Sequence, residues 1–149
     1  MFLSRRLLTA TVMALLFGGL LVPSALATQP NKEVPLKGDF VGIGAEFSGN
    51  FSHLGAFTGV IDLAGGEDTV WISANGDTVT NQTTSFVIDL GDFSSFPVFP
   101  YEQTIVITGG TGLFHDATGS ATITGSFNVE TVEYDGQLSG TISQPGPRH

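Results

Sequence analysis

The chain contains no cysteine. That excludes disulfides, thiolate metal sites, cysteine catalysis and lipid attachment through a cysteine, so any fold must hold by packing and hydrogen bonding alone. Positive charge is almost as scarce: five Lys and Arg stand against 14 Asp and Glu, for a formal charge of −9. Such a surface repels phosphate backbones and anionic bilayers, so nucleic acid is excluded as a partner. Helical periodicity of any length is missing too. Histidine is confined to His53, His115 and His149. The acidic pair Glu67-Asp68 shows no calcium-loop spacing, and a two-histidine metal site completed by a carboxylate requires the 52–54 and His115 loops to meet at one barrel end, so neither metal nor cofactor is expected.

The first 27 residues read as an export leader. Arg5 and Arg6 form a positive start, residues 7–22 are almost wholly apolar, and Ala25-Leu26-Ala27 is a small-x-small cleavage pattern. The apolar run is short for a bilayer span of about 20 residues. Ser4-Arg5-Arg6 opens like a twin-arginine signal but lacks its continuation, so the ordinary secretory route and a secreted or periplasmic destination are expected, with no membrane contact after cleavage. Loss of Arg5 and Arg6 takes the formal charge from −9 to −11, which suits solubility outside a cell. What remains fits one domain, commonly about 100–150 residues. Residues 28–37, with Pro30 and Pro35, read as a flexible lead-in, 38–143 as the folded domain and 144–149 as a tail.

What is abundant is strand patterning. Over residues 120–130, Ala121, Ile123, Gly125, Phe127 and Val129 alternate with polar residues, the period-two signature of a half-buried strand. The same alternation carries Leu138, Gly140 and Ile142, then Ile105 and Ile107, then Phe86, Ile88 and Leu90, then Phe57, Ile61 and Leu63. Asn75-Gly76 can supply the positive φ values of a tight hairpin. Residues 64–67 and Tyr134-Asp135-Gly136 read as further turns. Seven or eight short strands imply a sandwich or a barrel. The glycines within the pattern, Gly42, Gly44, Gly59, Gly125 and Gly140, favour a closed barrel, which needs local bends and removes exposed strand edges.

Ten of the twelve phenylalanines follow the leader, and Phe40, Phe57, Phe86, Phe114 and Phe127 are the candidates for lining a barrel interior. Trp71 alternates with Val70 and Ile72, so it is expected on the outer face. Residues 91–100 carry three Phe and two Pro and read either as a plug over one barrel end or as a wide connection covering core residues. His115-Asp116 could act as a pair only within an irregular loop, because neighbours on a strand face opposite ways; both His53 and His115 read as ordinary loop residues. The sequons at Asn50 and Asn81 read as incidental.

The run Gly109-Gly110-Thr111-Gly112-Leu113-Phe114 precedes a strand, not the helix a phosphate cradle needs, and reads as a turn with Phe114 as an apolar plug. Together with Tyr101-Glu102-Gln103-Thr104 upstream, it resembles the signature of the allene oxide cyclase and dirigent barrels. His53-Leu54-Gly55, Ala74-Asn75-Gly76-Asp77 and Ala117-Thr118-Gly119-Ser120 resemble segments of small exported bacterial proteins of that type. The resemblance implies a single all-β, antiparallel, eight-stranded calycin-like barrel, often a homo-oligomer in the plant relatives. The family's sites do not carry over in matched form. Glu46 stands within Gly-Ala-Glu-Phe-Ser, the pocket cysteine is absent, and the only arginine beyond the leader is Arg148. Three readings follow: a module binding a small apolar ligand or serving a structural role, a cyclase or isomerase using Glu46, Tyr101 and Glu102, or a self-assembly or interaction module.

Overall fold

The computed structural model describes residues 32–61, 68–91 and 93–146. The leader and the turn expected at 64–67 lie outside the described residues. Eight strands follow in chain order: β1 Glu33–Ile43, β2 Glu46–Phe51, β3 Gly55–Ile61, β4 Asp68–Ser73, β5 Thr78–Ile88, β6 Val98–Gly110, β7 Gly119–Asn128 and β8 Glu133–Ser143. Each pairs antiparallel with the next, and β8 returns to β1, so the sheet is a closed barrel. Closure satisfies the hydrogen-bonding groups of every strand without an edge. For a chain with no disulfide, this ladder and the interior packing carry the stability.

The interior is built from a repeated cross-strand pairing. Phe40 stands opposite Gly49 on β2 and Gly136 on β8; Phe47 stands opposite Gly42 and Gly59. Phe51 faces Gly38 and Gly55, Trp71 faces Gly59, Tyr101 faces Gly125, and Tyr134 faces Gly42. A Cβ at Gly59 would lie 2.1 Å from the Phe47 ring, one at Gly136 would lie 2.4 Å from Phe40, and one at Gly42 would meet Tyr134 at 2.4 Å. The rings of Phe40, Phe47 and Tyr134 therefore lie directly over glycines. A strand glycine costs roughly 0.5–1 kcal/mol of chain entropy. Burying an aromatic ring contributes about 1.5–3 kcal/mol, and each ring–ring contact roughly 0.5–1.5 more, so the exchange favours folding. Phe51 packs on Phe57 at 4.2 Å and on Trp71 at 4.9 Å between ring centroids.

Three expectations change. The flexible lead-in ends sooner than residue 37, because β1 starts at Glu33 and runs beside β8 from there. Pro35 is tolerated since its nitrogen faces the side where β2 has already ended; its carbonyl there accepts from Ser52 Oγ at 3.0 Å. Tyr134-Asp135-Gly136 is not a turn but part of β8, where Gly136 makes room for Phe40. The chain reverses one step earlier, with Asn128 Oδ1 accepting from the N–H groups of Glu130 and Thr131 and with Val132 at φ 61°. Gly44 lies in the β1–β2 turn, not in a strand. The Asn75-Gly76 hairpin is present as expected, with Gly76 at φ 89° and Asn75 Oδ1 accepting from Asp77 N–H at 2.9 Å.

Replacing Gly136 with alanine drives a methyl into the Phe40 ring. The expected cost is about 1–3 kcal/mol, seen as a lower urea midpoint with an unchanged slope. An unchanged midpoint would contradict the ring-over-glycine packing.

Candidate functional site

The barrel has two unlike ends. At the end where β1 begins and β8 finishes, Leu36, Leu54, Val79, Ile107, Phe114 and Ile142 are buried and belong to one apolar core. Phe114 plugs this end from a short 3₁₀ turn, Gly112–Phe114, as its place in the glycine-rich run predicts. Toward the other end the interior holds a cavity of about 450 Å³ that reaches the rim at Gly44 and Val132. Its volume falls in the range of roughly 300–1,000 Å³ typical of small-ligand sites.

The cavity wall is aromatic on most sides. Phe40, Phe47, Phe51, Trp71, Phe86, Tyr101, Phe127 and Tyr134 line it, with Ile61, Ile105 and Ile123. Its polar residues are Thr69, Asn81, Thr83 and Gln103, all from the neighbouring strands β4, β5 and β6. Asn81 Nδ2 donates to the Thr69 carbonyl at 3.3 Å, and Gln103 Nε2 donates to Thr83 Oγ1 at 2.7 Å. Among the described residues no charged side chain lines the cavity.

The two tyrosines are held neutral. Tyr101 O–H donates to the Asp135 carbonyl at 2.8 Å, and Tyr134 O–H donates to the Gly44 carbonyl at 3.2 Å. Burial raises the pKa of Tyr101 well above the usual phenol value, with the negative charge of Asp135 and the neighbouring Tyr134 adding to it. Burial also raises that of Tyr134. A phenolate here would lose water and gain no cation in exchange.

Of the residues singled out for catalysis, only Tyr101 reaches the cavity. Glu102 follows it on β6 and points outward, as alternation requires; Glu46 points outward at the start of β2, with Phe47 taking the inward position. Phe40, Phe86 and Phe127 line the cavity, whereas Phe57 is buried behind Phe51 and Phe114 belongs to the far plug. Trp71 corrects the expectation of an outer position. It is 2% exposed and inward, while its neighbour Ile72 is 38% exposed. β4 carries apolar side chains on both faces, and the larger one takes the interior.

Asn81, Thr83 and Gln103 do not stand out as cavity residues in the sequence, where Asn81 reads only as an incidental sequon. Gln103 could have been found by extending the Ile105, Ile107 stripe backward by one step. Thr83 and Phe86 both face inward despite their odd spacing, because the register with β6 shifts between Thr83 and Ser85.

Residues 91–100 do not fill the mouth as a plug. Phe93 and Phe96 are 74% and 53% exposed and flank the buried Phe99, and β6 begins at Val98. The segment is a wide connection over a core residue. All exposed large hydrophobic side chains among the described residues, except Ile72 and Val106, lie toward this same end of the barrel. His53 and His115 sit in turns at the opposite end. His115 Nδ1 meets Asp116 Oδ1 at 2.9 Å on an exposed irregular turn, and among the described residues no three His, Asp or Glu side chains gather as a metal site.

No family model, no curated protein and no solved structure matches this chain.

The raised tyrosine pKa values predict a pH response with a definite sign. Above about pH 10 the unfolded chain loses phenolic protons that the folded protein retains, so stability is intact below that pH and falls as pH rises through it. Tyr101 and Tyr134 are the only tyrosines in the chain. Phenolate absorbance should therefore rise later than the usual phenol range in the folded protein and reach its full value only on unfolding. Ordinary titration near pH 10 in folded protein would contradict the buried placement.

Proposed function

We propose that this protein is an exported binding barrel that holds one small, mostly apolar molecule in the cavity between Trp71 and the rim. The observation that carries the reading is the cavity itself: about 450 Å³, aromatic on most sides, with a few polar groups gathered on one. Such a wall matches the usual make-up of a small-molecule site. The apolar side chains exposed toward the same end, Phe86 and Val132 among them, give an apolar ligand partners before it is fully enclosed. The leader pattern of residues 1–27 supports export.

The cyclase or isomerase reading has less support. Acid–base catalysis requires a group that exchanges a proton near the working pH. Glu46 and Glu102 face away from the cavity, and Tyr101 has its proton engaged by the Asp135 carbonyl and its ionisation suppressed. The remaining polar residues of the wall, Thr69, Asn81, Thr83 and Gln103, do not titrate. The likeness to allene oxide cyclase and dirigent barrels supports a shared architecture. Its glycine-rich signature lies at the plugged end, away from the cavity, and so bears on folding and not on ligand chemistry.

Trp71 is the only tryptophan in the chain and lines the cavity, so it reports directly on occupancy. A neutral phenyl-naphthylamine dye should quench Trp71 emission and take up its energy, saturating at one dye per chain. Thr83→Phe, which adds a ring inside the cavity, should weaken that binding at least about tenfold while the melting temperature changes little. Glu46→Gln and Glu102→Gln should leave it unchanged. Absence of energy transfer, or equal binding by Thr83→Phe, would overturn the reading.

A further inference from the structure

Resting on the reading of the cavity as a ligand site, we infer that its ligand is an uncharged molecule with a flat apolar body and one acceptor oxygen, a carbonyl, directed at Thr83 and Gln103. Rings line the cavity from every strand but β3. Its amide and threonine side chains occur only on β4, β5 and β6, while the hydroxyls of Tyr101 and Tyr134 are turned to the Asp135 and Gly44 carbonyls. A flat body lies against the rings, which prefer offset or edge contacts with other π-systems.

The contact between Gln103 and Thr83 leaves two donors for a ligand. Gln103 Nε2 has two N–H groups and gives one to Thr83 Oγ1 at 2.7 Å. Thr83 Oγ1, acting there as acceptor, keeps its own O–H to donate. These two donors belong to adjacent side chains on neighbouring strands, so they converge on one small region of the wall. A carbonyl oxygen, with two lone pairs, can satisfy both.

Charge is excluded by the same wall. Among the described residues no Lys, Arg or His lines the cavity, so a carboxylate would shed its water with no cation to replace it. The surroundings add to this: Glu46, Glu133 and Asp135 lie around the same end of the barrel. A free fatty acid or other organic acid is therefore the wrong class, whereas a ketone, an ester or an aldehyde on a ring system is the right one.

The test uses three probes with one skeleton: naphthalene, methyl naphthyl ketone and naphthoate, measured by equilibrium dialysis at pH 7 with the mature chain. The ketone should bind about three- to tenfold more tightly than naphthalene, the effect of one net hydrogen bond. Naphthoate should bind at least about a hundredfold more weakly than the ketone. Gln103→Met and Thr83→Val should each bring the ratio of ketone to naphthalene affinity toward one, with an unchanged urea midpoint showing that the variants are folded. Naphthoate binding as tightly as the ketone, or a ketone advantage untouched by both variants, would overturn the inference while the cavity reading stands. Failure of all three probes to bind would overturn both.

Discussion

An aromatic ring that points into a barrel of eight strands needs space that its neighbours must give up, and here the neighbour is glycine. An interior of that width holds its own side chains or one small ligand. Phe40, Phe47, Phe51, Trp71, Tyr101 and Tyr134 each stand across from at least one glycine on a paired strand. The consequence is geometric: a ring laid over a glycine hugs the sheet and does not cross the centre. Branched side chains at those glycines would push the rings inward and close the cavity. The same residues thus provide the core's burial energy and leave the space beside it.

The two ends of the barrel use this packing differently. At the end where β1 begins and β8 finishes, aliphatic side chains and Phe114 come together in the core and close it. Toward the other end rings line the walls, and Asn81, Thr83 and Gln103 bring polar atoms into a mostly apolar space. Burying amides is costly unless they are paired, and two of these are, Asn81 with Thr69 and Gln103 with Thr83. Pairing only part of the hydrogen-bonding capacity of Gln103 and Thr83 leaves donors that a ligand can use. The cavity and its chemistry therefore follow from where a few polar residues fall on inward positions of β4, β5 and β6.

Much of the architecture was legible because strand patterning is local. Alternation around Ile123, Leu138 and Ile105 marked strands, Asn75-Gly76 marked a hairpin, and the in-strand glycines pointed to closure. The site was less legible, for reasons that are not local. The shift of register between Thr83 and Ser85 changes which residues face inward, and period-two reasoning cannot carry across it. On β4, Val70 and Ile72 formed an apolar stripe as convincing as Trp71, and only tertiary packing decides between the two faces. Glu46 and Glu102 are candidates through the likeness to allene oxide cyclases, but their neighbours Phe47 and Tyr101 take the inward positions. Gly136 looked like a turn residue because the ring it accommodates, Phe40, lies far away in sequence.

The most direct test of the central claim is crystallographic: crystals of residues 28–149 soaked with a brominated naphthalene, with the bromine located by its anomalous signal. The account predicts a single strong peak inside the barrel, between Trp71 and the Thr83–Gln103 pair, with the aromatic walls in place around it. A peak only on the outer surface, beside Val41 and Val60, with side chains meeting across the centre at both ends, would contradict it.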